Sequence, residues 1–121
     1  MRVGLFTPLL NPFATPEYVQ ALATAVEDRG FASMWVPEHA LFFDEYESKY
    51  PYAADGLLPT PSNMGMFEPW TTLSFLAGIT STVRLGTGIC LVPQRNPVYL
   101  AKEVATVDWL SGGRVDLGIG V

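Results

Sequence analysis

Glu38 and His39 stand next to each other, and His39 is the single histidine of the chain. An imidazole exchanges a proton near neutral pH, and a neighbouring carboxylate can hold its tautomer or compete for its role. Taken by themselves, the two residues fit either a proton-transfer pair or a loop histidine serving as a cap. Metal ligation is the weaker reading, because no second His or Cys is spaced to complete a ligand set. The pairs Gly86-Thr87-Gly88 and Gly118-Ile119-Gly120 complete neither a dinucleotide fingerprint nor a phosphate loop. Such glycines serve close packing against a neighbour, or they let backbone lie flat against a planar ligand. Arg95 could grip a carboxylate or phosphate, or simply remain solvated. Trp35, Phe42, Phe43, Tyr46, Tyr50 and Tyr52 crowd one stretch. They suit the wall of an apolar substrate cavity, or the pins of a long loop. Asp44, Glu45 and Glu47 read as a solvated rim.

These residues need elements to position them. Val3–Phe6 is a short apolar run halted by Thr7-Pro8, which predicts a buried strand. Thr15-Pro16-Glu17 opens a helix, with Thr15 as cap and Pro16 in the first turn. Val19, Leu22, Ala23 and Val26 give it one apolar stripe, and Gly30 marks its stop. Ala32–Val36 predicts a second strand, ended by Pro37. From Glu38 to Glu68 neither period is sustained, and the stretch reads as a long loop of the kind that is usually functional or disordered. Pro69-Trp70-Thr71-Thr72 starts a second helix through Leu73, Leu76 and Ala77. Val83–Val92 predicts a third strand. Asn96-Pro97 starts a third helix with the stripe Leu100, Val104, Val107 and Leu110, closed by Ser111-Gly112-Gly113. Val115–Val121 predicts a fourth strand.

The order is therefore β-α-β, long loop, α-β-α-β: an α/β chain of about four strands and three helices. Such alternation implies parallel strands joined by right-handed crossovers. The strands are apolar throughout, as strands covered on both faces should be. Two closures fit, a small doubly wound sheet or the N-terminal half of a (β/α)8 barrel. In both, the site lies at the carboxyl ends of the strands. Thr7, Glu38, His39, Thr87, Gly88 and Gly120 fall there, with Gln94, Arg95 and Asn96 just beyond.

Composition narrows the class. The 121 residues carry 7 Lys plus Arg against 12 Asp plus Glu, a formal net charge of −5. With 49% hydrophobic and 16% charged residues, the chain is too apolar for disorder. It is too acidic for a general nucleic-acid binder. A lone cysteine, Cys90, excludes an internal disulfide framework. Pro8, Asn11 and Pro12 interrupt the N-terminal apolar run before a signal peptide forms. No run approaches the roughly 20 apolar residues of a membrane span, so a cytoplasmic protein is expected.

Two blocks of residues then carry a family resemblance. One runs from Gly30-Phe31 through Trp35-Val36-Pro37-Glu38-His39 to Tyr50-Pro51-Tyr52 and Asp55-Gly56. The other runs from Arg84-Leu85-Gly86-Thr87-Gly88-Ile89 through Pro93-Gln94-Arg95-Asn96-Pro97-Val98 to Asp108, closing on Leu110–Arg114 and Leu117–Val121. Together they resemble the luciferase-like monooxygenase superfamily, most of all its F420-dependent oxidoreductases. The resemblance implies a (β/α)8 TIM barrel that binds coenzyme F420, or alternatively FMN, at its strand ends. It implies hydride transfer between F420 and a small organic substrate. With FMN it implies a monooxygenation. His39 matches the family histidine beside the reacting ring and Glu38 the acidic residue before it. Gly88-Ile89 falls where the family often has a non-prolyl cis peptide, expected to form a bulge behind the ring. Thr7, Thr87 and Gly120 are expected to join the cofactor site, and Trp35, Phe42 and Phe43 the substrate pocket. Arg95, with Arg84 or Lys102, would face the acidic F420 tail. The family barrel continues for four more units, so residues 1–121 are expected to be a luciferase-like domain truncated after its fourth strand. Its partners would then be a second copy or a missing C-terminal half. A catalytically silent half barrel that only folds or associates is the alternative.

Overall fold

A computed structural model describes residues 1–120. Strand β1 (Gly4–Phe6) leads to helix α1 (Pro16–Asp28), strand β2 (Ser33–Val36), the long loop, and helix α2 (Pro69–Ile79). Strands β3 (Arg84–Thr87) and β4 (Cys90–Leu91), a short 3-10 turn, and helix α3 (Pro97–Ser111) follow. Strands β5 (Val115–Asp116) and β6 (Ile119–Gly120) complete the order. Four strands form a parallel sheet in the order β1-β2-β3-β5, and β4 pairs with β6 in a second parallel ladder.

The predicted third and fourth strands are each divided. Gly88-Ile89 is a cis peptide and interrupts the first, so β3 and β4 join different ladders. Leu117-Gly118 interrupts the second at the matching level, where Cys90 N–H donates to Gly118 O at 2.7 Å. The last residue of the predicted fourth strand, Val121, lies outside the described residues.

Helix starts follow the capping chemistry. The Thr15 hydroxyl accepts from Tyr18 N–H, and the Asn96 side chain accepts from Val98 and Tyr99 N–H. The expected α2 start at Pro69 holds, but its cap is a carboxylate: Glu68 accepts from Trp70 and Thr71 N–H. Gly112 ends α3 in the left-handed region at φ 72°, where a Cβ would be strained. In α3, Leu100 and Val107 are buried as their spacing predicts. Leu110 is instead 72% exposed, and Ser111 takes the inward position.

The core lies between the sheet and the helices. Met34, Val36 and Leu85 meet Val19, Ala23, Val26, Leu73 and Leu76, all nearly inaccessible. On the other face, glycines make room for one indole. A Cβ at Gly86 would overlap the Trp35 ring, and one at Gly4 would lie 3.1 Å from Trp35 Nε1. Trp35 Nε1 donates to Ser33 Oγ at 2.8 Å.

The amino ends of the strands are tied by charge. Glu27, at the end of α1, accepts from the N–H groups of Ser81, Thr82 and Val83. Partial burial pulls its pKa upward, but these bonds outweigh it and bring the carboxyl down to about 2. The Arg114 guanidinium donates to the carbonyls of Ala77, Thr80 and Val83, joining α2 to β3 and β5. No helix among the described residues is long and apolar enough to cross a membrane.

Candidate functional site at the carboxyl ends of the strands

The chemistry-bearing residues gather at the opposite end of the sheet, in two groups. The first surrounds the break after β3. Thr87 is fully buried, and its hydroxyl is spent on Gly118, 2.8 Å from the carbonyl and 3.1 Å from the N–H. It therefore ties β3 to the β5–β6 link rather than offering a free side chain to a ligand. Thr7 is also buried, and its N–H donates to Trp35 O at 2.9 Å, which continues the β1–β2 ladder. The space over Gly120 is taken by the Ile89 side chain. Of the two readings open for the glycines, close packing accounts for Gly86, Gly118 and Gly120. Gly88 lies under the Phe6 ring, 3.2 Å from where its Cβ would be. Phe6 and Ile89 remain 56% and 42% exposed, an apolar surface at the strand ends.

The second group is built on the long loop. His39 is half-buried and stacks on Phe42, with ring centroids 4.4 Å apart and planes 13° from parallel. Both line a cavity of about 560 Å³, together with Phe43, Tyr46, Tyr50 and Leu57. Trp35 does not line it, because its indole lies against the sheet glycines. Tyr52 is 87% exposed and also stands outside the wall. The loop is bonded to itself across this space: Asp44 to Ser62, and Tyr46 Oη to Leu58 N–H at 2.5 Å. It is fastened to the β1 side by Asn11, whose N–H donates to Gly65 O at 2.9 Å and whose Oδ1 accepts from Gly65 N–H at 2.6 Å.

Between the groups lies an ion-pair cluster that sequence reasoning missed. Glu38 does not hydrogen-bond His39. Its Oε2 accepts from Leu91 N–H at 2.7 Å, and its Oε1 accepts from Arg95 Nε at 2.8 Å. Arg95 Nη2 lies 2.6 Å from Glu38 and 2.5 Å from Glu68. Only 15% of the Arg95 side chain and 7% of the Glu38 side chain are exposed. Burial works against the Arg95 charge, and the two carboxylates more than offset it, so the guanidinium is held still more firmly protonated. Arg95 is thus neither solvated nor free for a ligand. It locks the segment after β4 to the end of β2 and the cap of α2. Arg84 is likewise engaged, bidentate on Asp116 at 2.6 and 2.7 Å. Lys102 sits on the exposed face of α3. Among the described residues, no cluster of three or more His, Cys, Asp or Glu could hold a metal ion. Cys90 is buried, and that burial pushes its thiol pKa up.

An uncharacterized protein of Mycobacterium tuberculosis is 37% identical over 100 residues, covering 83% of this chain and 36% of that protein. The 5,10-methylenetetrahydromethanopterin reductase of Methanopyrus kandleri is 32% identical over 111 residues, covering 92% of this chain and 25% of the reductase. The solved structure of an F420-dependent secondary alcohol dehydrogenase, in complex with an F420-acetone adduct, superposes with a TM-score of 0.69 at 26% identity. That match covers 98% of this chain and 31% of the dehydrogenase. The chain spans about a third of the length of the first curated relatives it matches. The family model of the luciferase-like monooxygenases matches residues 1–121. On that match over its whole length, the chain belongs to the luciferase-like monooxygenase family.

Proposed function

We propose that this chain forms part of an F420-dependent oxidoreductase that transfers a hydride between the deazaflavin and a small organic substrate. The observation that carries this reading is the place of His39. It stands at the carboxyl end of β2, half-buried on Phe42, in the wall of a cavity of about 560 Å³. Similarity to proteins named for F420 or for methanopterin reduction supports the deazaflavin, with FMN as the alternative.

The residues present fit the ring end of such a cofactor. Phe6, the Gly88-Ile89 backbone and the Ile89 side chain offer an apolar platform at the carboxyl ends of the strands, the same end of the sheet from which His39 projects at the close of β2. They do not supply the cations for an acidic tail, since Arg84 and Arg95 are both held in ion pairs. When bound, F420 supplies a ring carbon that accepts or gives the hydride. A hydride leaving a substrate carbon is balanced by a proton leaving the attached oxygen or nitrogen. An imidazole nitrogen of His39 takes that proton, or returns it in the reverse direction. Glu38 acts as a positioning residue. It pins Leu91 and Arg95, and so holds the strand break in place. Phe42 and Phe43 give the substrate side an apolar wall.

The test is a parallel titration with F420 and FMN, read by cofactor absorbance and fluorescence. Saturable binding of F420 alone is expected, with turnover reduced about 10²–10⁴-fold in His39→Ala. Preference for FMN would move the assignment to flavin monooxygenation. Binding of neither would leave residues 1–121 a catalytically silent half barrel.

A further inference from the structure

We propose that the loop cavity takes an uncharged, ring-bearing organic molecule as the substrate. This rests on the hydride-transfer reading of His39. Its volume, about 560 Å³, falls within the roughly 300–1,000 Å³ of pockets that enclose small organic ligands. The wall is built from rings and aliphatic groups: Phe42, Phe43, Tyr46, Tyr50, Leu57 and Leu58. Flat, stiff side chains of this kind gain most from a rigid ring, which offers face and edge contacts at little entropic cost. Phe43 and Leu57 are 63% and 55% exposed, so the wall still holds apolar surface for a ligand to cover.

Charge decides the rest. Asp44 and Lys49 are the charged carboxylate and ammonium of the wall, and both face solvent. Asp44 is already bonded by Ser62, and the Lys49 stem packs along Gly56. Glu38, the nearest buried carboxylate in sequence, is neutralised by Arg95. A ligand charge placed inside would give up part of its water against the aromatic wall and gain only the weak, solvent-screened attraction of Asp44 or Lys49. An uncharged ring meets no such cost. Its polar end belongs at His39, which is held by stacking on Phe42 and keeps its ring nitrogens for a ligand.

The experiment uses three fluorescent probes of one shape with the intact protein: 2-naphthol, 2-naphthoate and 2-naphthylmethylammonium. Naphthol is expected to bind at least about tenfold tighter than either ion, a difference of about 1.4 kcal/mol. Phe43→Ser and Leu57→Ser are expected to weaken it at least fivefold without unfolding the protein, because both side chains are already largely exposed. Trp109→Ser, on the exposed face of α3, should leave it unchanged. Equal or tighter binding of either ion, or indifference to both loop substitutions, overturns the proposal. A parallel F420 titration separates the two claims. F420 binding without the naphthol preference sinks the inference and spares the hydride-transfer reading. Naphthol preference without F420 binding keeps the cavity as a site for uncharged rings but sinks the hydride-transfer reading, and with it the ligand's role as substrate.

Discussion

Replacing Arg95 by Met should destabilise the fold by about 3–4 kcal/mol, a large effect for one side chain near a loop. The magnitude follows from what the guanidinium leaves behind. Glu38 is 7% exposed at its side chain and would become a buried carboxylate without its counter-ion. Removing one partner of a buried pair costs about 3–5 kcal/mol. Glu38 keeps its bond from Leu91 N–H at 2.7 Å, which puts the cost at the low end of that range. Glu68 and Glu103 are 46% and 45% exposed at their side chains, so each lost pairing adds at most about 1 kcal/mol. Glu38→Gln removes the charge but keeps an oxygen that can accept from Leu91. The double variant Glu38→Gln, Arg95→Met should therefore be less damaged than the sum of the singles, with a coupling of about 2 kcal/mol. Urea midpoints of the four proteins, at constant slope, supply the cycle. A cost below about 1 kcal/mol for Arg95→Met, with no coupling, would show that water screens the cluster. The claim that Arg95 locks the strand break to β2 would then be wrong.

The Glu27 carboxyl is held at about 2 against an ordinary 4.5, so its bonds stabilise the fold fully above pH 4.5 and are lost as pH falls toward 2. The full shift corresponds to about 3.4 kcal/mol; its partial exposure reduces this to about 1–2 kcal/mol, and Glu27→Gln should remove that part of the acid dependence in urea midpoints measured from pH 6 to pH 2.5. Gly86→Ala should cost about 1–3 kcal/mol, because the new methyl overlaps the Trp35 ring, and should shift tryptophan fluorescence as the indole moves. Thr15→Ala should cost about 1 kcal/mol through the lost cap of α1, read as a lowered thermal midpoint.

Elements with local signals were legible in the sequence. Thr15-Pro16 and Asn96-Pro97 mark their helices because capping is decided within three residues. The buried stripe of α1 follows from its spacing alone. The site was legible in place but not in partnership. Glu38 and His39 do fall at the end of β2, yet adjacency suggested that the carboxylate serves the imidazole. Its partner is instead Arg95, 57 positions away, brought near because β2 and β3 pair in parallel. No local pattern encodes that distance. The same holds for Gly86. A glycine inside a strand signals close approach, but only the sheet register shows that Trp35 is what approaches. Glu68 escaped because glutamate is not among the preferred caps. Leu110 was misplaced because it continues the stripe numerically, while α3 turns it outward at its last turn.

The two groups at the strand ends are held by different bonds, and this separates what can vary from what cannot. The strand break after β3 is fixed by Thr87 on Gly118, Cys90 N–H on Gly118, and Glu38 on Leu91 and Arg95. Each of these joins one element end to another, so a change in any of them moves the apolar platform at Gly88-Ile89. The cavity wall is held instead within the loop and to Asn11, through Asp44–Ser62, Tyr46–Leu58 and Asn11–Gly65. None of those bonds reaches β3 or β4. Residues between Leu41 and Ser62 can therefore reshape the cavity without disturbing the platform, while His39, one residue from the Glu38 lock, stays registered to it. A platform and a loop cavity held by separate sets of bonds leave the loop free to vary in sequence while the strand break keeps its geometry.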